Sequence, residues 1–227
     1  MNERPLRLWI TRPCGWSLEA VATGTWLADL AYTLGQERTF ENVAFSTNAR
    51  TRIGQARNQE VRDAARWNAS HILFLDPDMI PDAYVGKDPN AKPYWATYWG
   101  FMRANPGTVL GVPACGAPPE EKVQVFGKTP DGDVARVPRE VAATARGWQR
   151  VTRVGSAVLL IDMDVFAKLE PPYFSDVYED KTETELESSQ DFTFCRQCEE
   201  KGVPIYVNFD CWADHQHFTT VKRPGWR

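Results

Sequence analysis

No apolar stretch in this 227-residue chain approaches the length of a membrane span, which excludes an α-helical membrane segment. The opening Met1-Asn2-Glu3-Arg4-Pro5 also lacks the apolar run of a signal peptide. Positive charge is in short supply. With 26 Lys and Arg against 30 Asp and Glu, the formal charge of −4 leaves no broad basic footprint for nucleic acid. Only the tail, with Lys222, Arg223 and Arg227, gathers basic residues. The cysteines number five, an odd count without a secretion signal, so the expectation is reduced thiols in a cytoplasmic setting. Internal repeats and low-complexity tracts are absent. What is present is core material: 43% hydrophobic residues and 9 Trp, 7 Tyr and 11 Phe. The length fits one domain over residues 1–227.

One stretch organises the rest, His71-Ile72-Leu73-Phe74-Leu75-Asp76-Pro77-Asp78-Met79. Its unbroken apolar run reads as a strand buried on both faces, as in a parallel sheet. Pro77 holds Asp76 extended, because its ring clashes with a helical residue before it. Carboxylates two apart on an extended backbone point to one side. Two hard oxygen ligands at a strand's carboxyl end suit Mg²⁺ or Mn²⁺ shared with a diphosphate. An Asp-Pro turn closing a core strand is the plainer alternative.

Ahead of this stretch the sequence alternates. Residues 6–11 read as a strand. Leu18, Val21, Ala22, Leu27, Leu30, Ala31 and Leu34 recur at helical spacing, with Gly35 as a C-terminal cap. A short strand at 42–46 and a second helix at 53–69 follow. The opening is therefore β-α-β-α-β, which argues for a doubly wound α/β sheet. A helix of about 15 residues spans roughly 22 Å, and a strand of about 6 spans roughly 20 Å. Arg57 and Asn58, in the first turn of the second helix, should then lie at the same edge as Asp76 and Asp78. Ligands of open α/β sheets bind at that edge.

Further along, Trp95, Tyr98, Trp99 and Met102 have helical spacing and read as core. Strands are expected at 108–114 and 122–126, then an exposed excursion over 129–146 with a hairpin at Asp131-Gly132. A strand ending at Ile161 runs into a second D-x-D, Asp162-Met163-Asp164. No proline extends it, so Asp162 reads as a helix N-cap and Asp164 as a dipole partner. Residues 175–190 are acidic without apolar periodicity and read as a mobile loop. Ser188 or Ser189 caps a helix to about Lys201, closed by Gly202, and puts Asp191 in its first turn. A strand over 203–209 precedes Asp210, Asp214, His215 and His217. The spacing Cys195-x2-Cys198-x12-Cys211-x3-His215 matches zinc sites. Because Cys195 and Cys198 fall inside the helical pattern, core thiols explain them more simply.

Four features in order resemble glycosyltransferases of the GT-A fold, especially small prokaryotic and phage-type members of the family 2 kind. They are Ala56-Arg57-Asn58, Asp76-Pro77-Asp78, Val154-Gly155-Ser156-Ala157 before Leu159-Leu160-Ile161, and Ser189-Gln190-Asp191-Phe192 with His215 downstream. The resemblance implies a Rossmann-like, mostly parallel central sheet flanked by helices. It also implies a nucleotide-sugar-binding half over 1–114 and an acceptor-side half over 115–227. Asp76 and Asp78 become the metal-site carboxylates for Mn²⁺ or Mg²⁺, with His215, then His217, as the third ligand. Thr11, Arg12, Arg57, Asn58 and Asp76 fall on the nucleotide. Asp191 takes the place of the general base of inverting members, and retaining chemistry stays open. The partners implied are a nucleotide-diphosphate sugar and an acceptor: a glycan, a protein, a small molecule or modified phage DNA. The setting implied is the cytoplasm of a bacterial or phage-infected cell.

Two departures stand out. Gln190 replaces the frequent Glu of a Glu-Asp pair, and Ser156 stands where glycine is frequent. The alternatives are a phosphatase of the haloacid dehalogenase type built on Asp76 and Asp78, and a non-catalytic nucleotide- or carbohydrate-binding module. Against the phosphatase, Asp76 lies mid-chain with a full β-α-β-α ahead of it.

Overall fold

The computed structural model describes residues 5–14, 21–49, 52–86, 89–116, 121–178 and 186–216. It opens with β1 (Arg7–Cys14), α1 (Val21–Glu37), β2 (Asn42–Ala49), α2 (Ile53–Arg66) and β3 (His71–Leu75). Short strands β4 (Met79–Pro81), β5 (Tyr84–Val85) and β6 (Lys92–Pro93) precede α3 (Tyr94–Ala104) and β7 (Val109–Gly111). Then come β8 (Val125–Lys128), β9 (Val134–Arg136), α4 (Arg139–Thr144), β10 (Trp148–Val151), β11 (Arg153–Val154) and β12 (Val158–Asp162). After a 3₁₀ turn, Met163–Val165, the last elements are β13 (Val177–Tyr178), β14 (Leu186–Ser188), α5 (Gln190–Glu200), β15 (Ile205–Asn208) and β16 (Ala213–His215).

The central sheet has seven strands in the order β10-β15-β7-β12-β3-β1-β2. β1 pairs in parallel with β2 and β3, and β15 with β7, while β12 and β10 run against their neighbours. The sheet is therefore mostly parallel. Side chains alternate across β3, so Ile72 and Phe74 enter one core and Leu73 and Leu75 the other. α2 and α5 cover the first face through Val61, Ala64, Phe194, Cys195 and Cys198. The second is covered by α1 and α3, where Trp26 and Leu30 meet Tyr94, Trp95, Tyr98, Trp99 and Met102. The aromatic stripe is thus core, as its spacing suggests.

Two local readings are corrected, at Gly35 and in the acidic segment, and two agree with the structure, the hairpin at Gly132 and the cap at Asp162. Gly35 does not cap α1: it lies inside the helix, with open space where a Cβ would be. A glycine in an exposed turn costs only about 1 kcal/mol against alanine, so the helix runs on. Arg38, at φ 51°, takes the left-handed conformation after it. The excursion after β8 is a β8–β9 hairpin turning at Gly132, where φ is 92°, followed by the short α4. Part of the acidic segment is ordered as the β13–β14 ribbon, and its centre lies outside the described residues. Asp162 does cap: its Oδ1 accepts from the Asp164 N–H at 3.0 Å, over a single 3₁₀ turn.

Candidate functional site

Each strand direction brings one piece of the site to the carboxyl end of β3. Because β12 is antiparallel to β3, the turn before it lies beside Asp76, whose N–H donates to the Ala157 carbonyl at 2.7 Å. Downstream of β3, β4 pairs with β16 and sets Met79 opposite His215. The Gln216 N–H then donates to the Asp78 carbonyl at 2.7 Å. α2 and α5 both begin at this edge. The result is a cavity of about 310 Å³ whose wall includes Asp76, Asp78, Ser156, Gln190, Asp191 and His215.

Arg57 lies at the base of this cavity and is 1% exposed. Its Nη2 donates to both oxygens of Asp76, at 2.7 and 2.9 Å, and to the Ser156 carbonyl at 3.3 Å. One guanidinium thus ties α2, the end of β3 and the turn before β12 together. Burial raises the Asp76 carboxyl most, Arg57 opposes that, and the nearby Asp78 and Asp191 add to it. The balance leaves it at about 6. His215 Nε2 sits 3.1 Å from Asp78 Oδ2, and Nδ1 3.4 Å from the Cys115 carbonyl. The hydrogen bond to Asp78 raises the imidazole above its usual value, against the opposing effect of burial. Asp191 Oδ1 accepts from the Ser189 hydroxyl and from the Phe192 N–H. α5 takes a further cap from Asp176, whose Oδ1 accepts the Gln190 N–H at 2.9 Å.

Asn58 has a different occupation from the one its motif implies. Its Oδ1 accepts the N–H groups of Tyr173 and Phe174 at 2.9 and 3.1 Å. Its Nδ2 donates to the carbonyls of Gly54 and Phe174 at 2.8 and 2.6 Å. The amide is consumed in holding the 173–174 loop against α2, and it does not line the cavity. Gly54 suits this close approach, since a Cβ would lie 3.1 Å from the Phe174 carbonyl oxygen, tighter than ordinary contact. Asn58→Ala strands two buried N–H groups and is expected to cost about 2–4 kcal/mol in urea unfolding.

Thr11 and Arg12 are not brought to the cavity wall. Thr11 is fully buried in β1 beside Phe74, and Arg12 Nη2 donates to Thr47 Oγ1 at 3.1 Å. His217 lies outside the described residues, as do Lys222, Arg223 and Arg227. The zinc spacing gathers no site: Cys195 and Cys198 are in one core and Cys211 in the other. Burial pushes the thiols of Cys195 and Cys211 up to about 12, keeping them protonated. Sequence reasoning passed over Gln124, which lines the cavity from an irregular segment, and the Cys115 carbonyl, a backbone group with no sequence signal.

Among the described residues, no three His, Cys, Asp or Glu side chains converge into a ready metal cage. The donor set nonetheless fits a hard divalent cation. The Cys115 carbonyl takes the Nδ1 side of His215, which leaves Nε2 against Asp78, and Asp76 follows two residues away. Mg²⁺ and Mn²⁺ commonly take one or two protein ligands and complete their shell with water and phosphate oxygens.

No protein-family model and no curated protein matches the sequence. Solved structures do match in fold. A197 from STIV superposes with a TM-score of 0.58 at 11% identity, over 96% of this chain and 99% of that one. GalNAc-T7, solved with UDP, GalNAc and Mn²⁺, superposes with a TM-score of 0.51 at 10% identity. That match covers 100% of this chain and 46% of the other. The fold is a GT-A-like, Rossmann-type α/β fold. No helix among the described residues is long and apolar enough to cross a membrane.

Proposed function

We propose that the protein is a metal-dependent glycosyltransferase that moves a sugar from a nucleotide-diphosphate sugar to an acceptor hydroxyl, with inversion. The observation that carries this reading is the meeting of Asp76, Asp78, Asp191 and His215, from distant parts of the chain, on one cavity at the carboxyl edge of the sheet. The fold it shares with a structure holding UDP, GalNAc and Mn²⁺ supports it. Asp78 and His215 would hold the cation, with Asp76, oriented by Arg57, beside them. When bound, Mn²⁺ or Mg²⁺ stabilises the charge developing on the departing diphosphate. Thr11 and Arg12, which do not line the cavity, take no part in this reading.

In the transfer, the acceptor oxygen forms a bond to the anomeric carbon as the carbon–oxygen bond to the diphosphate breaks. The bonding electron pair leaves with the diphosphate. Asp191 takes the acceptor's proton. Its Oδ1 is occupied by Ser189 and Phe192, so Oδ2 receives that proton. The phosphatase reading makes Asp76 the nucleophile, yet both its oxygens accept from Arg57.

The test is thermal stabilisation by UDP, GDP, CMP and TDP and their sugars, with and without Mn²⁺. A ligand that binds the native state at 100 times its Kd adds about 2.7 kcal/mol. One nucleotide is expected to raise the melting temperature only with Mn²⁺, and Asp78→Asn to remove that shift. No shift with any nucleotide, or an undiminished one in Asp78→Asn, would put the site elsewhere.

A further inference from the structure

A second cavity, of about 450 Å³, adjoins the candidate site at Cys115, which lines both. Cys115 is bridged in antiparallel sense to Val123. Val123 lines the second cavity, and the next residue, Gln124, lines the first. One pair of backbone segments therefore separates the two, and it includes the Cys115 carbonyl that meets His215 Nδ1 at 3.4 Å.

The two cavities differ in charge. The first has three carboxylates on its wall against the guanidinium of Arg57, whereas the second has two guanidiniums, Arg139 and Arg146, against the carboxylate of Asp210. Arg146 is held by neutral groups, since its Nη1 donates to the carbonyls of Ala143 and Ala145 at 3.0 and 2.6 Å. Asp210 Oδ1 lies 3.8 Å from Arg146 Nε, beyond hydrogen-bond reach, and Oδ2 accepts the Gly147 N–H at 2.9 Å. Arg139 gives Nη1 to Glu121 at 2.8 Å, in a pair whose side chains are 66% and 45% exposed. Exposed pairs of this kind hold their members weakly. Among the described residues, nothing accepts from Nε or Nη2 of Arg139 or from Nη2 of Arg146. On the same wall stands Trp212, whose indole N–H is already given to the Phe209 carbonyl at 3.0 Å. The half-buried ring thus offers a ligand an apolar face and no donor. Guanidinium donors suit carboxylate and phosphate oxygens, and an aromatic face suits the ring or chain that carries them.

We infer that the second cavity binds an oxyanion, phosphate or carboxylate, carried by the acceptor, whose reactive hydroxyl reaches past Cys115 to Asp191. The acceptor role rests on the glycosyl-transfer reading above, and the oxyanion site stands on its own wall. Arg139 and Arg146 are binding residues and take no part in the chemical step.

Isothermal titration of the full chain in chelator, without nucleotide, tests the oxyanion site by itself, using glucose 6-phosphate, glucuronate and glucose. One or both anions are expected to bind about tenfold or more above glucose, and the tighter of the two names the group. Arg139→Gln and Arg146→Gln should each weaken that anion about fivefold. Both variants should melt close to the wild type, because the two side chains are 66% and 67% exposed. No binding of either anion, binding equal to that of glucose, or undiminished binding in either variant would overturn the inference. UDP or GDP in Mn²⁺ should bind the two variants as it binds the wild type. Nucleotide binding weakened in parallel with the anion would give the cavity to the donor and overturn its assignment to the acceptor. If no nucleotide binds in Mn²⁺ while the anion still does, the glycosyl-transfer reading and the acceptor role fail together, and the oxyanion site stands.

Discussion

Asp191→Asn is expected to slow sugar transfer by about 10²–10⁴-fold, the usual worth of a positioned general base, while nucleotide and Mn²⁺ bind as before. The asparagine keeps the shape of the side chain and an Oδ1 that accepts from Ser189 and Phe192. The first turn of α5 therefore survives, with Asp176 still capping Gln190. What disappears is a carboxylate able to take the acceptor's proton. The measurement is nucleoside-diphosphate release with whichever acceptor supports wild-type turnover, paired with titration of the nucleotide in Mn²⁺. A fall in kcat with unchanged binding assigns Asp191 to the chemical step. Wild-type turnover would remove Asp191 from that step and favour retaining chemistry. Equal losses in binding and rate would show a displaced helix terminus instead of a missing base.

The parts of this architecture that sequence could disclose are those governed by local rules. Five mostly apolar residues before Asp76-Pro77-Asp78 gave β3, because burial on both faces demands a nearly unbroken apolar run. The lengths of α2 and β3 placed Arg57 beside Asp76, since helix and strand rises are fixed quantities. What local rules do not encode is direction and partner. Nothing in Val158-Leu159-Leu160-Ile161 says that the strand runs antiparallel to β3, and that reversal is what lays Ser156 over Arg57. Asn58 belongs to the same motif as Arg57, yet it turns to a loop 115 residues away. Neighbouring residues on a helix point about 100° apart, which is enough to separate one facing the cavity from one facing that loop. The Gln190–Ser156 contact was equally hidden, although each residue stood out singly in the sequence. Its two members lie 34 positions apart and meet only once β12 and α5 are docked.

Arg57→Met is the substitution expected to affect stability most, with a loss of about 3–5 kcal/mol at neutral to alkaline pH, as for removing one member of a buried ion pair. The Arg57 side chain is 2% exposed and that of Asp76 22%, so solvent screens the pair little. Methionine preserves part of the stem but leaves Asp76 without its donor, frees the Ser156 carbonyl, and removes a guanidinium 6.0 Å from the Phe174 ring centre. The pH dependence has a definite sign. In the wild type, Asp76 titrates at 3.8 when unfolded and at about 6 when folded, so the folded state holds its proton more tightly. The stability contributed by that proton is present below pH 3.8 and is lost as pH rises towards 6. Without Arg57 the opposing attraction is gone, the folded carboxyl moves higher still, and the loss continues through neutrality. The deficit of Arg57→Met should therefore be largest at about pH 8 and roughly halved at about pH 5, where the lone carboxyl is neutral. Urea unfolding in chelator at the two pH values measures it. A deficit that does not change with pH would mean that the variant loses packing and the Ser156 contact but no charge pairing. Asp76 would then be held at the cavity by the backbone bond to Ala157 alone.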